Sequence, residues 1–237
     1  DSTIVEIFMW RSVLASLLPD QKLNFQLGID LRREIASGAR IVDSEGETQT
    51  GGSINELAAF GSLRYTPIPK LNMEAGLRAL HHSRYDAPLI PSFHLKYQPA
   101  RPLSFRLSYG RGFRSPSLKE LFLSFVDINH FLVGNPDLRA ETSDNFQFNV
   151  QYRSENERFP IQLRTQLFYN RIEDQIQLFP FLERDGQLIP TTPDQSIQYA
   201  YFNIRQMQTQ GVNVRASYRL KDWEVEGGLS TIGFYNT

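Results

Sequence analysis

Alternation dominates the chain. In KLNFQLGIDLRRE (22–34), Leu23, Phe25, Leu27, Ile29 and Leu31 share one parity, and Asn24, Gln26, Asp30 and Arg32 share the other. A period of two puts successive side chains on opposite faces of a strand, and helical spacing fits it badly. The design recurs in Leu71, Met73, Ala75, Leu77 and Ala79 against Asn72, Glu74, Gly76 and Arg78. It recurs again in Phe93–Leu95–Tyr97, Leu103–Phe105–Leu107–Tyr109, Phe146–Phe148–Val150–Tyr152, Ile161–Leu163–Leu167–Tyr169 and Val212–Val214–Ala216–Tyr218–Leu220. Turn formers separate the runs at Pro67–Lys70 and Pro99–Arg101. Only STIVEIFMWRSV (2–13) alternates poorly, and the VLASLL within 13–18 suits a helix equally well. The count of predicted strands is about ten, all antiparallel neighbours joined in sequence.

The two parities differ in chemistry. The polar one carries Arg, Asp, Glu, Asn and Gln in strand after strand, whereas the apolar one excludes charge in mid-strand; Arg111 and Arg171 fall on it only near strand ends. A cation facing lipid costs about 2–4 kcal/mol at the bilayer midplane and about 0–1 near its edges. The pattern therefore predicts an all-β, antiparallel up-and-down transmembrane β-barrel, with hydrocarbon outside and water inside. The connections 14–21, 35–52, 67–70, 86–89, 99–101, 112–142, 154–159, 183–197 and 221–222 alternate short and long, except 86–89. Short turns gather at one rim and long loops at the other, as in outer-membrane barrels. The runs 160–182 and 198–220 exceed the ~9–11 residues needed to span and are expected to project outside. A sheet of this size has two unpaired edges. The expectation is an internal fragment of a longer secreted chain, which closes with further strands or self-associates through its open edges. Alternation also suits a soluble β-sandwich, for example a ligand- or carbohydrate-binding module, whose apolar face would be sealed inside.

Composition narrows the classes. Lys plus Arg number 25 against 26 Asp plus Glu, a net charge of -1, so nucleic acid is not an expected partner. Cys is absent, which excludes disulfides, thiolate metal sites and cysteine nucleophiles. There is no apolar run long enough for a transmembrane helix. The 17 Phe, 10 Tyr and 2 Trp supply what interfacial aromatic girdles require.

The longest interruption of the alternation is 110–145, GRGFRSPSLKELFLSFVDINHFLVGNPDLRAETSDN. Pro116, Gly134 and Pro136 punctuate it, and Ser117 with Glu120 reads as a capping box opening a short helix. Long ordered insertions of this kind tend to be functional. GFRSPSLKELF followed by GNPDLRAETSDNFQFNVQYR resembles the barrel signature of TonB-dependent outer-membrane receptors. The matching residues are Gly112, Phe113, Arg114, Pro116, Ser117, Glu120, Leu121, Gly134, Asn135, Pro136, Leu138, Glu141 and Ser143; Ala140 stands where the family usually has proline. The resemblance implies a receptor in the bacterial outer membrane. It would take up a scarce nutrient, most simply a ferric siderophore, with energy delivered by TonB through a plug domain and a TonB-engaging segment that this sequence lacks. On that reading residues 1–237 are part of the barrel and touch outer-membrane lipid, and the protein is no enzyme and needs no cofactor. A passive porin or adhesin barrel would need no TonB.

The motif residues are expected to brace the barrel and its outer loop. The candidates for ligand contact are Arg111, Lys119, Phe122, Phe125, Phe131 and Arg139, with substrate-contacting loops at 35–52, 112–142 and 183–197. A cluster of Arg101, Arg111, Arg114, Lys119 and Arg139 would attract an anion or lipopolysaccharide phosphates; the blander role for Arg114 is pairing with a glutamate. Other chemistry is weaker. His81 and His82 are adjacent in a strand and point to opposite faces, so with Asp86 and His94 they make a poor metal set. Glu120, Asp127 and Asp137 have no fixed separation for acid–base work, Ser115 and Ser117 lack a general base, and GRGF at 110–113 lacks the lysine of a phosphate loop.

Overall fold

The computed structural model describes residues 3–16, 22–38, 40–41, 52–126, 131–156, 158–184, 187–192, 198–220 and 222–236. Ten long strands build the wall: β1 (Thr3–Ala15), β2 (Leu23–Gly38), β3 (Gly52–Ile68), β4 (Leu71–His82), β5 (Ile90–Ala100), β6 (Leu103–Arg114), β9 (Glu141–Arg153), β10 (Ile161–Arg184), β12 (Gln198–Leu220) and β13 (Trp223–Asn236). Between β6 and β9 lie a short helix, α1 (Leu118–Phe122), and two small strands, β7 (Ser124–Val126) and β8 (Phe131–Val133); β11 (Gln187–Pro190) folds back on β10. Wall strands pair antiparallel with their sequence neighbours, β6 with β9 and β10 with β12 included, so β1 and β13 are the two edges. β8 joins β12 in parallel.

Several boundaries differ from the expected ones. β1 is a strand through Ala15, because cross-strand pairing with β2 decides where its own pattern does not. β3 and β5 run past Tyr65 and Tyr97 through irregular register to Ile68 and Ala100. β2 and β3 extend into 35–52, of which 39 and 42–51 lie outside the described residues, as do 193–197 and Asp127. The excursion proper is 115–140. β10 and β12 reach 24 and 23 residues and project well past the membrane.

The apolar parity forms an exposed outer face, with Leu27, Ile29, Leu63, Leu77, Leu107, Leu163, Leu167 and Val212 all turned to the surroundings. Among the described residues one sheet makes the whole wall and no second layer covers it, which removes the sandwich. Aromatic side chains bound this belt. Tyr109, Phe146 and Tyr169 lie in register across three strands, their rings 4.7 and 6.3 Å apart, near the outer rim. Tyr65, Tyr97, Tyr152 and Trp223 mark the rim of short turns. Hydrocarbon between two such girdles is the environment these faces fit.

The inner face is polar but not uniform. On β1–β4, Asp30 binds Arg11 at 2.5 Å and also Arg78. Arg32 meets Glu34 at 2.6 Å and Glu56 at 3.2 Å, and Arg64 meets Glu74 at 2.8 Å. The Phe60 ring lies across Gly28, where any side chain would collide with it, and two of those guanidiniums, Arg11 and Arg78, sit 5.6 and 5.8 Å from its centroid. From β5 to β12 the inner face instead carries Ser, Asn, Gln and cations.

Candidate functional site

The described parts of the excursion, 115–126 and 131–140, lie over the inner face at the outer mouth and are fastened to both sides of it. The excursion begins at the end of β6 with Arg114, whose side chain lies between two glutamates. Nη1 donates to both Glu120 oxygens at 3.0 Å, and Nε and Nη2 donate to Glu141 at 2.8 and 2.7 Å. Glu120 also closes the capping box: it accepts from the Ser117 N–H at 2.8 Å, while Ser117 Oγ accepts from the Glu120 N–H at 3.3 Å. Pro116 is buried before the cap, where its fixed backbone starts the helix. Glu141 in turn accepts from the Ile176 N–H at 2.6 Å, tying the same carboxylate to projecting β10.

α1 has one turn of apolar side chains, and they fill the core of the mouth. Leu118, Leu121, Phe122 and Leu138 pack with Ala36, Ile41, Ile54 and Ile176, and Val5 and Tyr201 lean on the cluster. This is the one core cluster among the described residues, and it sits in the roof of the mouth rather than within the wall. Burying four side chains of this size contributes about 1.5–3 kcal/mol each before ordering costs.

On one side the roof is tied to β2–β4. The buried Glu34 accepts from the Leu118 N–H at 3.3 Å, Ser115 Oγ meets Glu56 at 3.4 Å, and Tyr85 Oη donates to the Leu138 carbonyl at 3.0 Å. Behind them His82 accepts at Nδ1 from the Arg84 and Tyr85 N–H groups, at 3.0 and 3.2 Å. That arrangement requires a neutral ring. Burial pushes the His82 pKa down, and the pull of Glu56 does not overcome it. Burial likewise pushes the Tyr85 phenol up. On the other side the roof is tied to β10–β12. Asn135 Nδ2 donates to the Tyr201 carbonyl at 2.9 Å. Asn203 accepts from the Arg139 N–H at 2.8 Å and donates to the Arg139 and Asp174 carbonyls at 3.0 and 2.7 Å. Asp174 sits at positive φ (54°), at the one position where β10–β12 pairing is interrupted without a change of register, and pairs with the Arg139 guanidinium at 2.6 Å.

Of the family-motif positions, Arg114, Ser117, Glu120, Asn135, Leu138 and Glu141 make the contacts above. Leu121 is core, Phe113 is half-buried and Pro136 is exposed. Gly112 and Ser143 are cross-strand partners, with Ser143 Oγ 2.5 Å from where a Gly112 Cβ would lie. Gly134 permits close approach: a Cβ there would lie 2.5 Å from the Leu121 carbonyl carbon. Burial costs the Glu141 carboxyl its charge preference, but Arg114 and the Ile176 N–H outweigh that and hold its pKa below the ordinary range. The bond to Glu141 raises the Arg114 guanidinium further.

The ligand-contact candidates do not converge. Lys119 and Arg139 are exposed on the roof. Phe122 is taken up in the core beneath Arg84, whose guanidinium is 4.7 Å from its centroid, Phe125 lies under Arg40 at 4.3 Å, and Phe131 leans on Phe181. Arg111 shares its cross-strand row with Asp144 and Arg171 on the lipid-facing parity, one step beyond the aromatic girdle. The expected five-cation cluster is corrected: Arg101 occupies the β5–β6 turn at the opposite rim, one full strand away, so it cannot join Lys119 and Arg139. No group of three metal-capable side chains occurs among the described residues. Glu34, Glu56, His82, Tyr85, Asp174 and Asn203 are the anchoring residues that sequence reading passed over. The one signal for them is charge at strand ends where the lipid-facing belt has run out.

Residues 10–237 match the family model described as TonB dependent receptor-like, beta-barrel. Among curated proteins the chain is 24% identical over 225 residues to the heme/hemopexin utilization protein C of Haemophilus influenzae, covering 83% of this chain and 31% of that protein. Among solved structures it is similar to the siderophore receptor PirA of Pseudomonas aeruginosa (TM-score 0.73, 15% identity, 98% of this chain and 41% of that one). It is also similar to a mutant of the ferric enterobactin receptor PfeA of the same organism (0.73, 16%, 97% and 36%). The FrpB iron transporter of Neisseria meningitidis is a further structural relative (0.68, 16%, 99% and 36%). The chain thus spans well under half the length of these relatives.

Proposed function

The chain belongs to the TonB-dependent receptor β-barrel family, outer-membrane proteins of Gram-negative bacteria, and from that premise we propose that the whole protein imports a scarce nutrient, a ferric siderophore in the first instance. Residues 1–237 supply about ten strands of its wall and one side of its mouth. The rest of the protein supplies the remaining strands, a plug domain in the lumen and the segment that engages TonB. No catalysis is assigned to the chain; its work is to hold a pore, narrow the mouth and present loop surface to the ligand. The thirteen motif residues act as braces. Lys119 and Arg139 are exposed on the roof, Arg139 in a pair with Asp174, which leaves Lys119 as the candidate cation best placed to meet an anionic chelate.

The observation that supports this reading is the roof tied across a polar-lined, lipid-faced wall. The test is uptake in iron-limited cells. Deletion of the full-length gene is expected to abolish accumulation of at least one iron-labelled siderophore, and TonB loss is expected to reproduce the defect. Normal accumulation of every siderophore offered would defeat the siderophore reading. The likeness to a heme utilization protein makes heme the second substrate to offer, and growth on heme alone separates the two.

A further inference from the structure

Lys96 stands directly opposite Arg106 across β5 and β6, and Arg164 directly opposite Arg215 across β10 and β12. Like charges facing each other across paired strands destabilise a sheet. The lumen-facing positions of β5, β6, β9, β10 and β12 between the short turns and Glu141 hold no Asp or Glu to relieve them. Lys96 and Arg106 make no hydrogen bond or ion pair with another described residue. Among the described residues Arg164 reaches only the Gln162 amide oxygen, at 3.4 Å. Arg215 meets Glu226 on edge strand β13 at 3.4 Å, with both side chains more than half exposed (61% and 51%). The nearby amides are turned to the same purpose. Asn149 accepts at Oδ1 from Gln147 at 3.2 Å, and Gln166 accepts at Oε1 from Asn213 at 3.1 Å. Their carbonyl ends are thereby occupied, and their amino ends are left to donate. Arg106, Arg164, Arg215, Asn149 and Gln166 line one concavity of about 930 Å³, open to the lumen a few residues from where β6 and β10 leave the short turns.

We propose that this concavity binds a small multivalent anion, a molecule carrying grouped phosphate or carboxylate oxygens. The proposal rests on the reading that solute crosses this lumen, and it adds a site on the wall well away from the roof. Three guanidiniums and two amino ends converge there against a single carboxylate, Glu226, at the edge. Guanidinium forks match the paired oxygens of phosphate and carboxylate, and charge-assisted bonds of that kind are about twice as strong as neutral ones. The side chains stand on paired wall strands rather than loops, so little ordering is needed when an anion arrives. The volume falls within the range of about 300–1,000 Å³ typical of small-molecule sites. The cations lie on the parity that faces away from lipid, so lipid headgroups cannot reach them. On β1–β4, by contrast, Arg11, Arg32, Arg64 and Arg78 are all met by carboxylates, and no such site is expected there.

The experiment titrates inorganic pyrophosphate into the full-length protein in micelles of an uncharged detergent, followed by calorimetry. Saturable binding is expected, weakened about tenfold or more by Arg106→Gln with Arg164→Gln, and weakened likewise in wild type at about 0.5 M salt. Removing a self-neutralised pair, Arg64→Gln with Glu74→Gln, is expected to leave the affinity unchanged. If the double variant of the site does not fold, Arg106→Lys, which keeps the charge and loses the fork, is expected to weaken binding about threefold. Absence of saturable binding overturns the proposal, and so does equal affinity in a folded variant of the site. Accumulation of an iron-labelled anionic siderophore then names the source of the anion. A fall in the double variant assigns the site to the cargo, and full accumulation beside weakened pyrophosphate binding assigns it to a free phosphate compound. Undiminished uptake after deletion of the gene defeats the transporter reading instead, and the titration still decides whether the site exists.

Discussion

The two inner walls are built on the same strands, the same pleat and the same supply of arginine, and they reach opposite electrostatic outcomes. On β1–β4 the guanidiniums of Arg11, Arg32, Arg64 and Arg78 each have a carboxylate within the same four strands, and Asp30 serves two of them. On β5–β12 cations face cations across the ladder. A guanidinium projecting into a lumen is therefore not in itself a sign of ligand or partner. What distinguishes a structural cation from an available one is whether the wall already contains its counter-charge.

The largest effect that tests this contrast is expected from Asp30→Ala, which leaves Arg11 and Arg78 facing each other. Arg11 is exposed (67%), so the loss is smaller than for a buried pair, and it is read as a fall in the unfolding midpoint of the full-length protein. Next comes the roof that joins the two walls. Glu141→Gln weakens the hold on Arg114 and is expected to cost about 1–2 kcal/mol, seen as faster exchange of the Leu118–Phe122 amides while mid-wall strands stay protected. A smaller, pH-gated effect centres on His82. Its folded pKa lies below the ordinary 6.5, so its contribution is complete above that value and is lost as pH falls through the lower folded value. Glu141, also depressed, adds a loss of the same sign once pH drops below the carboxylate range. Roof protection should decline on acidification, and His82→Asn, which keeps an acceptor for the Arg84 and Tyr85 N–H groups, should flatten the upper part of that decline. The smallest effect belongs to the other wall: Arg106→Ala is expected to change barrel unfolding by no more than about 0.5 kcal/mol. A loss comparable to that of Asp30→Ala would erase the distinction between the walls.

Much of this organisation is legible in the chain, because period two with a chemical difference between parities has few other physical meanings. β2, β4, β6 and β9 read directly. β1 does not, since Val5, Ile7, Met9 and Val13 make its inner face as apolar as Phe8, Trp10 and Leu14 make its outer one, and alternation vanishes when both sides are greasy. The Ser117–Glu120 cap is a local signature and survives into the structure. What the sequence does not display is everything fixed by curvature. Glu34 meets Leu118 across 84 residues and Asn203 meets Arg139 across 64, separations that carry no spacing rule. The parallel pairing of β8 with β12 is hidden for the same reason, since β8 is three residues long. Arg101 shows the converse error, in which nearness along the chain stood in for nearness in space across a strand that carries the backbone to the far rim.

The span over the mouth is held at one end by Glu34, Glu56 and Tyr85 and at the other by Asn203, Tyr201 and Ile176. A beam pinned at both abutments fixes the distance between them. This arc of the rim therefore cannot widen without first losing its crossbeam.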